Sequence, residues 1–234
     1  MLTILAIDTS GDFCAAALIR GGKPIACDAL SMSRGYVEAL ASLVQRLNRK
    51  TDISFTDLDL IGVTKGPGSF TGVRTGLAAA RGFAFAAKCP AIGVSSFSAV
   101  AAGATQDGNV PILVALETRR ADYFIQMFNS KAHPLAQPAV LDGESVRRLI
   151  EEHGPVLAGN AALRLSDEVL SPNTSDVKIL PGGSVPTLVS VAGVAEKILH
   201  TKGVACDTLS PLYLRAPEAK ISPTGGRLKN RSRG

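Results

Sequence analysis

Short apolar runs that end in glycine or polar turns recur along the first hundred residues. Their length and composition are typical of β-strands rather than of long helices. The predicted strands cover residues 3–7, 13–19, 24–30, 60–64 and 91–94. The pair Gly21-Gly22 lies between the second and third runs and indicates a hairpin there.

Helical spacing interrupts this strand pattern three times. A first helix is predicted over residues 37–47, where apolar side chains recur every three or four positions. A second follows a glycine-rich turn and extends to Ala87. A third is expected from Ser96, as its N-cap, to Ala102.

The same order of elements begins again after a polar break at residues 106–109. Strands are predicted over 111–116, 123–128, 136–141, 156–158 and 177–180, and helices over 144–151, 161–169 and 189–199. Three hairpin-linked strands followed by alternating helices and strands form mixed sheets with helices on their faces. The sequence therefore predicts an α/β protein with a duplicated topology.

This pattern divides the chain into three parts. We expect an N-terminal lobe over 1–106 and a C-terminal lobe over 107–210. The third part, 211–234, opens with Pro211-Leu212-Tyr213-Leu214-Arg215, whose aromatic residue between apolar neighbours is expected to pack back onto the body. The rest of that part is a basic tail, expected to be disordered.

The turn at residues 65–76 contains four glycines and one proline. Such a turn at a helix N-terminus can present free N–H groups to a phosphate. The spacing does not fit a P-loop, because no Lys-Ser/Thr pair follows the last glycine. A structural turn is the favoured interpretation, and phosphate binding is the alternative.

The helix after this turn is apolar on nearly all sides. Its polar residues form a narrow stripe of Arg74, Arg81 and Lys88, seven positions apart. A helix of this kind is buried on several sides. It is therefore expected either to lie in a deep core or to pack against a second chain.

Composition and charge exclude several classes. The chain has 234 residues, 46% hydrophobic and 19% charged, and no apolar run reaches transmembrane length. Asp8 cuts the first apolar run short, which does not fit a signal peptide. Cys14, Cys27, Cys89 and Cys206 form no C-x-x-C pair, which favours reduced thiols in a cytoplasm over a zinc site.

The basic residues are unevenly distributed along the chain. The formal net charge is +5, and the residues after Tyr213, with six basic side chains and one acidic side chain, account for all of it. A solvated end is the favoured interpretation of this tail, with weak, salt-sensitive attraction to RNA as the alternative.

Three motifs carry a resemblance to a known family. They are Ile7-Asp8-Thr9-Ser10, the run from Gly66 to Arg74, and Pro211-Leu212-Tyr213-Leu214-Arg215. Together they resemble the TsaB (YeaZ) family, whose two RNase H-like lobes belong to the actin, sugar-kinase and Hsp70 ATPase superfamily. Only the basic tail lies outside the resemblance.

The resemblance implies a cytoplasmic, non-catalytic subunit without a cofactor. Such a subunit is required for making threonylcarbamoyladenosine in tRNA, beside the anticodon. It would support the catalytic protein TsaD, with the ATPase TsaE, and contact tRNA indirectly. It also implies homodimers when the subunit is alone, and no association with a membrane. An ATPase or kinase of the same superfamily is the alternative.

The residues at the two phosphate-loop positions indicate at most a vestigial nucleotide site. Asp8, Thr9 and Ser10 occupy the first position. The second holds Glu117 and Thr118, where relatives commonly have Asp-Ala-Arg. Phosphoryl chemistry needs metal and donors converging on one spot. Inherited fold geometry is therefore favoured over weak nucleotide binding.

No catalytic or metal site is predicted. The catalytic relative carries an H-x-x-x-H helix, whose spacing places two imidazoles on one face. Here His133, His153 and His200 include no such pair. A metallopeptidase, which similarity has also suggested, would need those missing ligands. No G-x-S-x-G nucleophile elbow is present.

The first two helices are the predicted partner interface, because the resemblance implies a four-helix bundle with TsaD. The predicted contact residues are Leu40, Leu43, Leu47, Val73, Leu77 and Ala80, with Arg74 and Arg81 near the rim. A purely internal core is the alternative.

Overall fold

The computed structural model describes residues 1–32, 35–104, 108–118, 120–169, 177–180, 183–203 and 209–215. In the first half the strands are β1 (Thr3–Asp8), β2 (Phe13–Arg20), β3 (Lys23–Ser31), β4 (Leu60–Thr64) and β5 (Ala91–Val94). The helices there are α1 (Tyr36–Thr51), α2 (Phe70–Ala87) and α3 (Ser96–Gly103). In the second half the strands are β6 (Ile112–Glu117), β7 (Tyr123–Phe128), β8 (Ala139–Leu141) and β9 (Val156–Ala158). The helices there are α4 (Gly143–His153), α5 (Ala162–Val169) and α6 (Leu188–Lys202).

The second sheet repeats the strand order of the first, except for the outermost parallel strand. The first has the order β3-β2-β1-β4-β5, with β1, β2 and β3 antiparallel and β1, β4 and β5 parallel. The second has the order β8-β7-β6-β9, with β6 and β9 parallel. This confirms the duplicated α/β architecture that the hydrophobic pattern predicted.

Two predicted strands are shorter than expected. The strand predicted over 136–141 starts only at Ala139, directly after Pro138, which lacks the N–H that a ladder needs. The strand predicted over 177–180 is a single parallel bridge between Ile179 and Leu157. This bridge lies beside β9, in the position that β5 takes beside β4 in the first sheet.

The lobes exchange helices across their boundary. Phe97 and Val100 of α3 pack into the core of the second sheet, around Ile112. Conversely, Val191 and Ala195 of α6 pack on the first sheet. The expected division at residues 106 and 107 therefore follows chain order but not the packing, since each core needs a helix from the other half. Residues 105–107 themselves lie outside the described residues.

Candidate functional site

The glycine-rich turn and the β1–β2 turn are packed directly against each other. The Ser69 N–H donates to the Ser10 carbonyl at 2.7 Å, and the Thr9 hydroxyl donates to the Gly72 carbonyl at 2.8 Å. Ser69 also caps α2, because its hydroxyl accepts from the Gly72 N–H. The phosphate-loop position of the first lobe is thus in contact with the chain's own helix N-terminus.

Three glycines make this contact possible. A β-carbon added at Gly68 would lie 2.3 Å from the Ser10 carbonyl oxygen. One added at Gly72 would lie 2.0 Å from the Thr9 carbonyl oxygen, and one at Gly76 would lie 2.3 Å from the Thr9 hydroxyl. Real side chains do not approach so closely. The described structure therefore gives these glycines a packing role.

Asp8 is a fully buried carboxyl with unequal oxygens. Oδ1 accepts hydrogen bonds from the Ser10 N–H at 2.9 Å, the Ser10 hydroxyl at 2.7 Å and the Thr64 hydroxyl at 2.6 Å. Oδ2 has no partner among the described residues. Burial raises the pKa of Asp8 above its ordinary value, and the Thr64 and Ser10 hydrogen bonds lower it only in part. The Asp8 carboxyl therefore stabilises the β1–β2 turn through these hydrogen bonds.

In the second lobe, Glu117 stands at the phosphate-loop position that Asp8 occupies in the first, and an arginine binds its carboxylate. Arg164 of α5 donates to both Glu117 oxygens, at 2.9 and 2.8 Å, and to Glu168 at 3.1 Å. Its guanidinium also lies 4.1 Å from the Tyr123 ring centre. Bidentate pairs of this kind are strong and directional. Glu117 is therefore paired before any ligand arrives.

Tyr123 completes this cluster. Its hydroxyl donates to Glu168 at 2.9 Å, and its ring is buried. Burial and this hydrogen bond raise the pKa of Tyr123 to about 12. Thr118, the other departure noted in the sequence, donates to Asp122 at 2.6 Å. Arg119 lies outside the described residues.

A cleft of about 840 Å³ lies between the β1–β2 turn of the first lobe and Glu117 of the second. Its lining comes from the β1–β2 turn, the start of α2, the end of β6 and the segment before α6. Ser10, Asp12, Phe70, Glu117 and Phe124 are among the lining residues. The cleft thus has a carboxylate and an aromatic ring on each of two walls, Asp12 and Phe70 from the first lobe and Glu117 and Phe124 from the second.

The predicted interface residues are brought together, but inside the lobe. The six apolar members are buried in one core cluster with the first sheet: Leu40, Leu43, Leu47, Val73, Leu77 and Ala80. The expectation that they contact a partner is therefore corrected, because the chain's own sheet already covers them. Arg74 and Arg81 are exposed.

The exposed face of the same helices consists of residues other than those predicted from the sequence. Phe85 is 89% exposed and Val37 is 62% exposed, although both are large and apolar. Ala78, Gly82 and Ala86 lie beside Phe85 on the outer side of α2. Their spacing of four was visible in the sequence, but both faces of α2 are apolar and periodicity could not separate them.

Residues 209–215 form a strap that joins the two lobes. The Leu212 N–H donates to the Lys65 carbonyl at 2.8 Å, and Arg74 donates to the Tyr213 hydroxyl at 2.6 Å. Leu212 and Leu214 pack against the core of the second sheet. The start of this segment thus contacts both lobes.

The strap is also anchored at its two ends. Arg81 of α2 donates to the Leu209 carbonyl at 3.2 Å. Arg215 forms an ion pair with Asp122, in the β6–β7 connection. The tail from residue 216 onward lies outside the described residues.

The three histidines stand apart from one another. His133 contacts Lys197 at 2.8 Å, while His153 and His200 lie near Glu152 and Glu196, on α4 and α6. Among the described residues, no group of three His, Cys, Asp or Glu side chains is arranged to hold a metal ion. None of the described helices is long and apolar enough to cross a membrane.

The fold and the cleft define a two-lobed protein of the actin-like class. A ROK hexokinase from Thermus thermophilus shares this fold, with a TM-score of 0.52 at 13% identity over 85% of this chain and all of its own. A family model described as TsaD, tRNA N6-adenosine threonylcarbamoyltransferase, matches residues 30–222.

Proteins that are more similar to this chain identify its family within the actin-like class. The Escherichia coli tRNA threonylcarbamoyladenosine biosynthesis protein TsaB is 30% identical over 92% of this chain and 95% of its own. YeaZ from Pseudomonas aeruginosa has a TM-score of 0.75 at 23% identity, over 92% of this chain and all of its own. The chain belongs to the TsaB (YeaZ) family.

Proposed function

We propose that this chain is a non-catalytic accessory subunit required to form threonylcarbamoyladenosine in tRNA, next to the anticodon. It supports a TsaD-like catalytic subunit, together with a TsaE-like ATPase, in moving the threonylcarbamoyl group from its adenylate to adenosine in the cytoplasm. The name of the Escherichia coli relative and the description of the family model support the pathway.

The pairing of Glu117 by Arg164 carries the accessory assignment. Phosphoryl transfer in this class of fold needs metal ions and donors that converge on the phosphates from both lobes. Here Glu117 is neutralised by a bidentate arginine, and Asp8 is buried under hydrogen bonds from Ser10 and Thr64. Both carboxylates are therefore engaged in holding the fold.

The outer faces of α1 and α2 are the proposed docking surface for the TsaD-like subunit. Ala78 and Gly82 let a second helix approach closely, and Phe85 supplies a large apolar side chain. A groove of about 260 Å³ between the helices, lined by Phe55 and Phe83 among others, can receive a partner side chain. Alone, the chain is proposed to form a homodimer through the same surface.

Reconstitution tests the proposed function. Threonylcarbamoyl transfer to tRNA is measured with the cognate TsaD and TsaE, ATP and the threonylcarbamoyl donor system, with and without this chain. The expected result is transfer that depends on this chain, while the chain alone hydrolyses no ATP. Equal transfer without it would refute the proposal. Hydrolysis by the chain alone, abolished by Asp8→Ala, would favour the ATPase or kinase alternative.

Variants of α2 test the docking surface separately. Ala78→Arg combined with Phe85→Asp is expected to abolish co-elution with the TsaD-like subunit while the melting temperature is unchanged. Leu163→Asp, on an exposed site of α5 that is 68% exposed, is the matched control and should co-elute normally. Leu77→Asp, by contrast, should unfold the lobe, because Leu77 is buried.

A further inference from the structure

The strap connects the two aromatic walls of the cleft. On the first-lobe side, the centre of the Tyr213 ring lies 5.8 Å from that of Phe70, which lines the cleft. On the second-lobe side, the Arg215 guanidinium lies 5.8 Å from the ring centre of Phe124, another lining residue. Between these contacts, Leu212 packs on the core of the second sheet. A displacement of the strap would therefore change how far both walls are covered.

Two arginines of α2 hold the strap on the first lobe. Arg81 donates to the Leu209 carbonyl at 3.2 Å, and Arg74 donates to the Tyr213 hydroxyl at 2.6 Å. The Arg74 guanidinium also lies 3.6 Å from the centre of the Phe70 ring. Both hydrogen bonds are exposed to solvent. The arginines thus bind the strap through neutral oxygens at the protein surface.

Neutral oxygens are weaker partners for a guanidinium group than carboxylates are. Hydrogen bonds between two charged groups are shorter and about twice as strong as those between neutral groups. Arg46 and Arg164, for example, bind carboxylates of this chain. Among the residues that the structure describes, Arg74 and Arg81 form no such ion pair. A carboxylate brought close to either arginine would therefore compete well with the strap.

The same two arginines border the proposed docking surface on α2. Arg74 is four positions before Ala78, and residues at this spacing are neighbours on a helix surface. Arg81 is likewise four positions before Phe85. A protein seated on the docking surface therefore comes within reach of both guanidinium groups. Docking and the hold on the strap thus depend on adjacent side chains of one helix.

We propose that docking of the TsaD-like subunit releases the strap and opens the cleft. Acidic side chains of the partner bind Arg74 and Arg81. The Tyr213 hydroxyl and the Leu209 carbonyl then lose their donors, and the strap moves away from the aromatic walls. A ligand-induced change of this kind needs contacts that differ between the two states, and the exchanged arginine contacts supply them. The inference rests on the proposed function for the identity of the partner.

Hydrogen exchange of the full chain, with and without the cognate TsaD-like subunit, tests this proposal. Docking should slow exchange along α2 but accelerate it at residues 209–215. A strap-release variant, Arg74→Met/Arg81→Met, should show the faster strap exchange without the partner, by about two- to tenfold for each lost hydrogen bond. The α4 control, Arg147→Met/Arg148→Met, removes the same charge from the second lobe and should respond to docking as wild type does.

A tryptophan at position 124 reports on the cleft, because the chain itself contains no tryptophan. In the isolated chain, acrylamide should quench Phe124→Trp more strongly in the strap-release variant, since Arg215 no longer covers the ring. The α4 control should leave the quenching unchanged. Equal quenching with and without the strap-release substitutions would overturn the proposal.

Binding affinity gives a further test, because coupling between two sites is reciprocal. Tyr213→Phe removes the acceptor of Arg74 but keeps the aromatic ring and the arginine. This variant should bind the TsaD-like subunit about two- to tenfold more tightly, because docking no longer has to break that hydrogen bond. Unchanged or weaker binding, or strap exchange that does not respond to docking, would refute the coupling and leave the co-elution and transfer results standing. Failure of the wild-type chain to co-elute would refute the docking surface, and the coupling with it.

Discussion

The α-carbon of Gly72 faces the carbonyl oxygen of Thr9 so closely that an added β-carbon would lie 2.0 Å from it. The Thr9 hydroxyl returns a hydrogen bond to the Gly72 carbonyl. These two residues join the start of α2 to the β1–β2 turn. A motif that looks like a phosphate cradle in the sequence therefore serves as a packing joint in this fold.

Replacing Gly72 with alanine should disrupt this joint. The added methyl group meets backbone atoms of Thr9, which cannot move away as a flexible side chain can. We expect Gly72→Ala to lower the free energy of unfolding by about 3 kcal/mol. Urea denaturation followed by circular dichroism measures this change.

Gly82→Ala is the matched control on the same helix. Apart from its chain neighbours and the backbone of its own helix, no described atom lies within 4 Å of a β-carbon built at Gly82. Since alanine is a better helix former than glycine, this change should stabilise the isolated chain by about 0.5–1 kcal/mol. Similar losses of stability in the two variants would contradict the assignment of the loss at Gly72 to the contact with Thr9.

Asp8 should make stability depend on pH. Because burial raises its pKa in the folded state, its stabilising contribution is complete below the unfolded pKa of about 3.9. That contribution is lost as the pH rises through the folded-state pKa. Asp8→Asn keeps the acceptor for Ser10 and Thr64 but cannot ionise. The stability of this variant relative to wild type should therefore rise with pH.

Unfolding free energies between pH 4 and pH 8 check this prediction for Asp8. Asp28→Asn, a surface carboxyl paired with Arg46, is a suitable comparison. Hydrogen bonding to Arg46 lowers the pKa of Asp28, so its stabilising contribution is complete above the unfolded pKa of about 3.9, and the difference between that variant and wild type should be nearly constant over this range. A flat difference curve for Asp8→Asn would contradict the assignment.

The Glu117–Arg164 pair should behave as a structural unit. Arg164→Gln leaves Glu117 and Glu168 without their shared cation, and we expect it to cost about 1–2 kcal/mol of stability. The double variant Glu117→Gln/Arg164→Gln should lose less than the sum of the two single changes. Thermal and urea unfolding of the three variants measure the coupling. Additive losses would show that Glu117 does not depend on the arginine.

The strap should hold the lobes together. Leu212 is half-buried against the second-lobe core while its N–H bonds Lys65 of the first lobe. Leu212→Ala should lower stability by about 1–2 kcal/mol, below the range for a fully buried leucine. Hydrogen exchange should increase in both lobes, at the start of α2 and along β6. Leu163→Ala, at an exposed position, should leave both measurements unchanged.

Much of the fold could be predicted because strand patterns are local. The predicted bounds of β4, β5, β7 and β9 agree with the structure. The helix exchange could not be predicted, since α3 and α6 are apolar on faces that any sheet could cover. Gly62 of β4, for example, lies against Ala195 of α6, and a β-carbon added at Gly62 would lie 3.0 Å from the Ala195 β-carbon. These two residues are more than a hundred positions apart in the sequence.

The candidate site was predicted less well than the fold. Apolar periodicity identified Leu40 and Leu77 but could not say that the chain's own sheet covers them. It also passed over Phe85, because an aromatic residue in an apolar helix resembles a core residue until burial is known.

The sequence by itself determined the duplicated α/β topology, the family motifs and the basic character of the tail, because strand alternation, turn chemistry and charge are properties of neighbouring residues. Only the tertiary structure decided what the motifs do. Asp8 became a buried turn carboxyl, Glu117 an arginine-paired one, and Gly72 a packing joint, since each role depends on atoms supplied by a distant part of the chain.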